Sequence, residues 1–470
     1  MTDMPHTDRG WRALLEPGHR GPLALISAGI GMHAFNDLSI AASVPVAYAD
    51  LGALPLLPLA YALFFIGVVS GGILSARIRD RIGARRTALA AACLFLTGVT
   101  LTATAPAGWV FATGRAMQGL SDGVIAALCY SLIPELFRPA LVPRVFSVEA
   151  VVWALAAALG PLAGGFATEY LDWRAAMLVC LPFALAFLAT VPATLPRRAR
   201  DAAPVKGLIP WPAAVCLLGA VALSLPSALP ETRAAVLALP LGLGLFAFAL
   251  TRDRLRTARF FPSDAFRQGT VGRATWAIFL MPVAQATSSV FLPLALRETF
   301  ALSPVWVGWI AVTMAMCWSL SAMWVAGLSD AGRHATLRFG PLSQVVGAAC
   351  IAAGLSSGTL PLVVLGHGLA GIGFGCVWGP ANHAIMAATP PAEKARTSSF
   401  MPTVQTTGFA VGAGLAGWVA AASALIPALQ AGTAGAAVLL LWGGAACIAA
   451  LTLIATLPMG RDVIEAPVTA

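Results

Sequence analysis

Long hydrophobic stretches alternate along this chain with short polar connections. An α-helix needs about 20 apolar residues to cross a bilayer. Measured against that length, the pattern predicts fourteen helical segments, which we number 1 to 14 in chain order. They lie at residues 22–46, 54–76, 86–105, 108–136, 145–168, 174–195, 207–229, 234–251, 272–296, 304–328, 337–357, 360–388, 398–425 and 431–457. The predicted fold class is an all-α polytopic membrane protein.

Basic residues predict the orientation of these segments, because Lys and Arg concentrate in cytoplasmic loops. With a cytoplasmic N-terminus, 25 of the 29 Lys and Arg residues fall on the cytoplasmic side, and three fall outside, namely Arg174, Arg233 and Arg297. The remaining one, Arg115, lies inside segment 4. This alternation predicts an even number of spans with both termini cytoplasmic, from an N-terminal stretch at 1–21 to a tail at 458–470.

Composition supports the same class. The chain is 59% hydrophobic and 10% charged, whereas soluble domains carry about 25% charged residues. The net charge of +9 lies in short loops, so we expect the lipid bilayer rather than nucleic acid as a partner, and a monomer. Arginine far outnumbers lysine, which hints at a GC-rich bacterial genome and at the inner membrane of a bacterium.

Motifs for other kinds of chemistry are missing from the sequence. It contains no GxxxxGK[ST] loop for ATP and no HExxH helix. The eight cysteines are scattered singly through apolar segments, which favours buried hydrophobic roles over metal or disulfide roles. We therefore expect no enzyme activity, no metal and no cofactor other than a proton gradient.

One loop occurs twice. ARIRDRIGARR (76–86) follows segment 2, and the shorter AGLSDAGRH (326–334) follows segment 10. An offset of eight segments predicts two six-helix bundles, at 22–195 and 272–457, with segments 7 and 8 inserted in a linker at 196–271. Internal repeats of this kind are typical of transporters that bind substrate between their halves.

Segment 4 carries an unusual polar face. Arg115, Gln118 and Asp122 lie within about 60° of one another on a helix, and a charge at membrane depth costs about 3 kcal/mol or more. In segment 1, His33, Asn36 and Asp37 also share a face. Side chains of this type are expected to line a central cavity and to bind substrate or protons.

Four motifs resemble those of the major facilitator superfamily, and in particular its fourteen-helix drug:proton antiporter branch. ARIRDRIGARR is similar to the loop motif G-x-L-x-D-R-x-G-R-R, although Ala76 replaces its usual glycine. RAMQG (115–119) matches R-x-x-Q-G, and GPLAGG (160–165) matches the antiporter motif G-P-x-x-G-G. NDLSIAASVP (36–45) is a looser match in segment 1, so either Asn36 or Asp37 could occupy the acidic position of the family.

The resemblance implies a major-facilitator fold and residues that gate it. In the loop, Asp80 would meet the cytoplasmic end of segment 13 near Arg396 and Ser398, and in segment 5 the GPLAGG motif would seal the outside of the cavity. The gating residues so implied are Asp80, Arg81, Gly83, Arg85, Arg86, Gly160, Pro161, Gly164, Gly165 and Asp330.

Proton coupling is expected to use Asp37, Arg115 and Asp122. A fixed cation beside a protonatable acid makes the proton site switchable. Either acid meets this requirement, and we favour Asp37 as the main carrier with Asp122 as a coupled second site. Glu149 either lines the inner vestibule or pairs with Arg144. The expected cavity-lining residues are His33, Asn36, Gln118, Glu149, Gln285, His383 and Gln405.

These residues predict a secondary transporter that exports amphipathic or cationic small molecules, such as drugs, in exchange for protons by alternating access. Two other forms of transport stay open: an exporter of one metabolite or siderophore, and a proton symporter. Outside transport, the alternative is a membrane-embedded sensor.

Overall fold

The computed structural model describes residues 10–197, 210–225, 232–256 and 259–460. Parts of the predicted N-terminus, linker and tail, namely residues 1–9, 198–209, 226–231, 257–258 and 461–470, lie outside the described residues. All of the regular structure in the described part is helical, as expected for a chain whose backbone polar groups must be satisfied within a bilayer.

Residues 10–197 form eight α-helices. They are α1 (Pro17–Leu38), α2 (Val44–Asp50), α3 (Leu57–Ile82), α4 (Ala84–Ala103), α5 (Gly108–Leu136), α6 (Val142–Tyr170), α7 (Trp173–Ala176) and α8 (Leu181–Thr194). Two predicted segments are interrupted rather than continuous: segment 1 breaks between Leu38 and Val44, and segment 6 breaks between Ala176 and Leu181.

The described residues of the rest of the chain form nine α-helices. They are α9 (Trp211–Ser224), α10 (Thr232–Arg254), α11 (Thr270–Phe300), α12 (Pro304–Ala326), α13 (Asp330–Ser357), α14 (Leu360–Ala388), α15 (Lys394–Ala422), α16 (Leu425–Gln430) and α17 (Gly435–Thr456). Helical structure therefore occupies each of the fourteen predicted segments. Within the described residues, ten helical stretches are long and apolar enough to cross a membrane. A total of fourteen crossings stays a prediction.

Helix packing follows the internal repeat. In the first half α3 and α4 pack on α5, and α1 packs on α6 and α8. The equivalent contacts recur in the second half, where α12 and α13 pack on α14, and α11 packs on α15 and α17. The halves meet where α3 packs on α15 and where α6 packs on α12. The pair α9 and α10 packs together and lies against α3 and α15.

Glycine makes the closest of these contacts possible. A Cβ atom on Gly71 would lie 2.1 Å from the carbonyl oxygen of Leu120, and one on Gly123 would lie 2.0 Å from that of Val68. Small residues at helix crossings let backbones approach, which is how helices associate in membranes. The α3–α5 contact holds α5, and with it the polar face of segment 4, in a fixed position within the first half.

Candidate functional site

Arg115 is the centre of a buried polar cluster in the first half. Its side chain is 1% exposed on α5. One guanidinium nitrogen, Nη1, donates to Oδ1 of Asn36 at 3.2 Å and also to Oε1 of Gln118. The guanidinium lies over the ring of Phe64, 4.0 Å from its centroid, a cation–π contact that helps to stabilise a desolvated charge. α1, α3 and α5 together enclose this cation.

Gln118 extends the cluster to α4, because its Nε2 donates to the hydroxyl of Thr102 at 2.9 Å. The other guanidinium nitrogen of Arg115, Nη2, is buried and has no hydrogen-bond partner among the described residues. A buried donor without a partner is unfavourable by about 1–3 kcal/mol. Arg115 thus keeps a donor available for a water molecule, a substrate or a carboxylate.

His33 and Asp122 form the second part of the cluster. His33 Nδ1 lies 2.8 Å from Oδ2 of Asp122, and the carboxylate is fully buried. Its Oδ1 has no partner among the described residues. The His33 ring also packs edge-on against Trp153, with centroids 5.3 Å apart. The sequence placed His33 on the polar face of segment 1 but did not indicate that it pairs with Asp122.

Asp37 lies beside this pair without a hydrogen bond to any described residue. It is half-buried and within electrostatic range of His33, Asp122 and Arg115. Its neighbour Asn36 is the residue that accepts a hydrogen bond from Arg115. Asn36 and Asp37, the two candidates for the acidic position of the family motif, therefore differ in their surroundings. Asn36 is buried and contacts Arg115 directly, whereas Asp37 is the more exposed of the two.

The charges in this cluster can accommodate one mobile proton. Arg115 is always protonated, and two carboxylates lie within its electrostatic range. With His33 neutral and both acids ionised the cluster carries one net negative charge, which a proton on His33, Asp37 or Asp122 would neutralise. Since uncompensated charge is unfavourable in a low dielectric, the cluster favours binding either a proton or a cation.

Glu149 lies in a separate buried position between α1 and α6. Ser27 donates to its Oε1 at 2.8 Å, and its Oε2 has no partner among the described residues. The alternative pairing with Arg144 is wrong in this structure, since Arg144 donates to the carbonyl of Ala140 in the turn before α6. The partner on α1 was missed because a serine at that position carries no distinctive signal.

The GPLAGG motif packs against the break in segment 1. A Cβ atom on Gly164 would lie 1.7 Å from the carbonyl oxygen of Ser39. Ser43, at the other end of the break, donates to the carbonyl of Gly164 at 3.3 Å. Gly160 lies against the same turn, with its Cβ position 3.3 Å from that of Leu38. The motif therefore accommodates an irregular backbone directly after Asp37.

The same motif forms part of the contact between the halves. A Cβ atom on Gly165 would lie 2.7 Å from the carbonyl oxygen of Pro304, and one on Gly308 would lie 2.6 Å from that of Pro161. Nearby, the backbone N–H of Val305 donates to Oε2 of Glu169 at 2.9 Å. The ends of α6 and α12 that are predicted to face outward are in close contact in this conformation.

The loop motif between α3 and α4 is tied to α5. Arg79 forms an ion pair with Glu135, with Nη2 to Oε2 at 2.5 Å. Gly83 adopts a φ of 82°, a conformation that favours glycine. Arg85 donates to the carbonyl of Pro192 at 3.3 Å, while Arg81 and Arg86 are exposed.

The contact of Asp80 with Arg396, which the family resemblance implies, is not formed in this conformation. Arg396 instead pairs with Glu393 at 2.8 Å and donates to the carbonyl of Arg259. Asp80 is half-buried and forms no ion pair within the described part of the chain.

The predicted residues of the second half do not form one cluster. Gln285 is buried on α11 and directs its amide to the sulfur of Met314, and Gln405 is half-buried on α15. His383 is exposed and lies within electrostatic range of Asp330, which itself pairs with Arg333 at 2.5 Å. His383 lies near the end of α14, and its cavity-lining role stays a prediction.

A set of membrane-length helices in two packed halves, with a buried cation and acids in one of them, defines a polytopic membrane transporter. The family model of the Major Facilitator Superfamily matches residues 26–413, and the chain belongs to this superfamily.

Two relatives are informative. The chain is 26% identical over 439 residues to a protein of Mycobacterium tuberculosis named probable multidrug-efflux transporter, covering 89% of this chain and 91% of the relative. It is 30% identical to a puromycin resistance protein of Streptomyces alboniger, covering 76% and 72% of the two chains. The first of these relatives is named as a transporter.

Solved structures show the same fold at low sequence identity. The POT family transporter PepTSo matches 95% of this chain and 99% of its own, with a TM-score of 0.65 and 16% identity. The nucleoside transporter NupG matches 93% and 98%, with a TM-score of 0.62 and 12% identity. These similarities concern the fold alone.

Proposed function

We propose that this transporter exports amphipathic or cationic small molecules in exchange for protons that enter the cell. Transport would proceed by alternating access, with the halves rocking about a site near the middle of the membrane. The observation that carries the proposal is the buried cluster of Arg115, His33, Asp122 and Asp37. It holds a fixed cation, two acids and a histidine within electrostatic range of one another.

Competition between proton and substrate is the proposed coupling step. The cluster carries one net negative charge when both acids are ionised, so a cationic substrate and a proton would each neutralise it. A bound proton would therefore weaken substrate binding, and a bound substrate would favour proton release. Asp37 is half-buried, which suits contact with substrate, whereas Asp122 pairs with His33, which suits proton storage.

The names of the relatives support this substrate class. One relative is named for multidrug efflux and another for puromycin resistance, and puromycin is itself an amphipathic amine. We propose the cytoplasmic membrane of a bacterium as the location, with both termini in the cytoplasm, a monomeric state, and the proton gradient as the sole energy source.

Everted membrane vesicles test the proposal. With an acidic interior and no ATP, a fluorescent cationic dye should accumulate inside, and adding dye or puromycin should release protons. Vesicles with Asp37→Asn or Asp122→Asn serve as controls for the cluster. If no compound of a broad cationic panel moves protons, the antiport proposal is wrong. If substrate moves together with protons, the protein is a symporter.

A further inference from the structure

An apolar cavity lies where the inserted pair α9 and α10 packs against both halves. Its volume is about 550 Å³, within the range of about 300–1,000 Å³ found for small-molecule sites. α3, α9, α10, α11 and α15 all contribute to its wall, which is mainly aliphatic and aromatic. Representative lining residues are Ile66, Leu217, Phe246, Trp276, Phe279 and Phe400.

A smaller basic pocket of about 380 Å³ adjoins this cavity. Arg254, the last residue of α10, lines both spaces, so they meet at this side chain. The basic pocket is also lined by Arg256, Arg259, Arg396 and Glu393. Four arginines and one acid leave an excess of three positive charges, at the end of the bundle that the loop charges predict to be cytoplasmic.

The arginines of this pocket belong to an ordered structure. Asp253 is buried, and its carboxylate accepts the backbone N–H groups of Phe260 and Phe261 at 2.9 Å each, which ties these two residues to the end of α10. Glu393 accepts the N–H and hydroxyl of Ser263 at 3.1 and 3.0 Å. The N–H of Ser263 also lowers the pKa of Glu393, so that carboxylate stays ionised and holds Arg396 at 2.8 Å.

The guanidinium of Arg254 has capacity for a further partner. Its Nη2 reaches the carbonyl oxygens of Ala265 and Phe266 only at 3.4 and 3.5 Å, and a guanidinium has five N–H donors. Arg256 lies over the ring of Trp211 at 5.7 Å. Planar, charged donors of this kind suit a phosphate.

We propose that these two spaces form one binding site for an anionic phospholipid, with an acyl chain in the apolar cavity and the phosphate beside Arg254 and Arg256. Basic pockets between membrane helices on the cytoplasmic side bind anionic headgroups. The excess positive charge would repel a cationic substrate. A free phosphate ion would leave the apolar cavity unfilled. The site lies apart from Arg115 and goes beyond the proposed transport function.

The test is lipid retention by the purified full-length protein, measured by native mass spectrometry with phosphatidylglycerol and phosphatidylcholine of the same acyl chains. We expect preferential retention of phosphatidylglycerol. Each arginine near an anionic headgroup is worth about a fivefold change in affinity, so Arg254→Gln and Arg256→Gln should each lower the preference by about that factor. The matched control is Arg252→Gln, which removes the same charge from the exposed surface outside the pocket.

A second variant tests the cavity itself. Ala247 lines the cavity, and Ala247→Trp should fill part of it and weaken retention of both lipids, whereas Leu241→Trp on the exposed side of α10 should not. Equal retention of the two lipids by the wild type would overturn the proposal. So would displacement of the lipid by inorganic phosphate alone, or a preference that the Arg254 and Arg256 variants retain.

Discussion

His33 Nδ1 on α1 lies 2.8 Å from Oδ2 of the fully buried Asp122 on α5. The two residues are far apart in sequence, and their contact joins the polar face of segment 1 to that of segment 4. Asp122 therefore has a hydrogen-bond partner that can itself carry a proton, whereas Asp37 has no such partner among the described residues. We therefore expect proton coupling to involve the His33–Asp122 pair and not Asp37 alone.

The first prediction concerns Asp122. Asp122→Asn keeps the shape of the side chain but removes its charge, so it should lower proton-driven transport at least about tenfold, equivalent to about 1.4 kcal/mol. Substrate exchange without a gradient should persist, because it needs no net proton movement. Asp264→Asn, an exposed acid paired with Arg267, is the control. Full gradient-driven transport by the Asp122 variant would contradict the assignment.

The second prediction concerns Arg115. Arg115→Lys keeps the charge but loses the planar group that contacts Asn36, Gln118 and Phe64, and lysine does not replace arginine at such sites. We expect transport to fall about tenfold or more and the melting temperature to drop. Arg252→Lys at the exposed end of α10 should change neither. A fully active Arg115→Lys protein would show that positive charge alone suffices.

The third prediction concerns the glycine motif. Gly164→Ala places a methyl group 1.7 Å from the carbonyl oxygen of Ser39, and overpacking of this kind costs about 1–3 kcal/mol. Thermal unfolding in detergent should show the loss. The control is Gly443→Ala on α17, where nothing lies within 4 Å of the added carbon. That variant should be as stable as the wild type or slightly more stable, by up to about 1 kcal/mol. If Gly164→Ala and Gly443→Ala unfold at the same temperature, the close contact between Gly164 and Ser39 is excluded.

The fourth prediction separates stability from turnover at Asp80. This residue forms no ion pair with a described residue in the present conformation, so Asp80→Asn should change the free energy of unfolding by no more than about 0.5 kcal/mol. If Asp80 acts in another state of the cycle, transport should nevertheless fall. Glu135→Gln on α5, which breaks the ion pair with Arg79, provides the comparison, because that pair ties the loop motif to α5. If the Asp80→Asn variant keeps wild-type turnover, Asp80 contributes only to the membrane topology of the chain.

Much of the fold was predictable because bilayer crossing imposes a length and a composition that can be read along the chain. The segment limits agree with the helices to within a few residues for α5 and α14. The interruptions at 39–43 and 177–180 were not predicted, since the residues there remain apolar or small. An apolar stretch looks the same in sequence whether its helix is continuous or broken.

The candidate site was predictable only in part. Arg115 stood out because it is the one basic residue that the topology leaves inside a segment, and helical periodicity alone placed Gln118 beside it. Which side chains meet across helices was decided by the rotation and depth of each helix, and these depend on packing such as that of Gly71 and Gly123 against their neighbours. The sequence could not give the His33–Asp122 pair, the Ser27–Glu149 pair or the exposed position of His383.

The sequence by itself determined that this chain is a membrane protein with an internal repeat and a charged face in segment 4, since hydrophobicity, loop charge and helical period are local properties. Only the tertiary structure decided which acid pairs with a histidine, where the glycine motif is in contact, and that the inserted helices enclose an apolar cavity beside four arginines. Those features arise from contacts between residues far apart in the chain, and a single sequence does not specify how its helices rotate against one another.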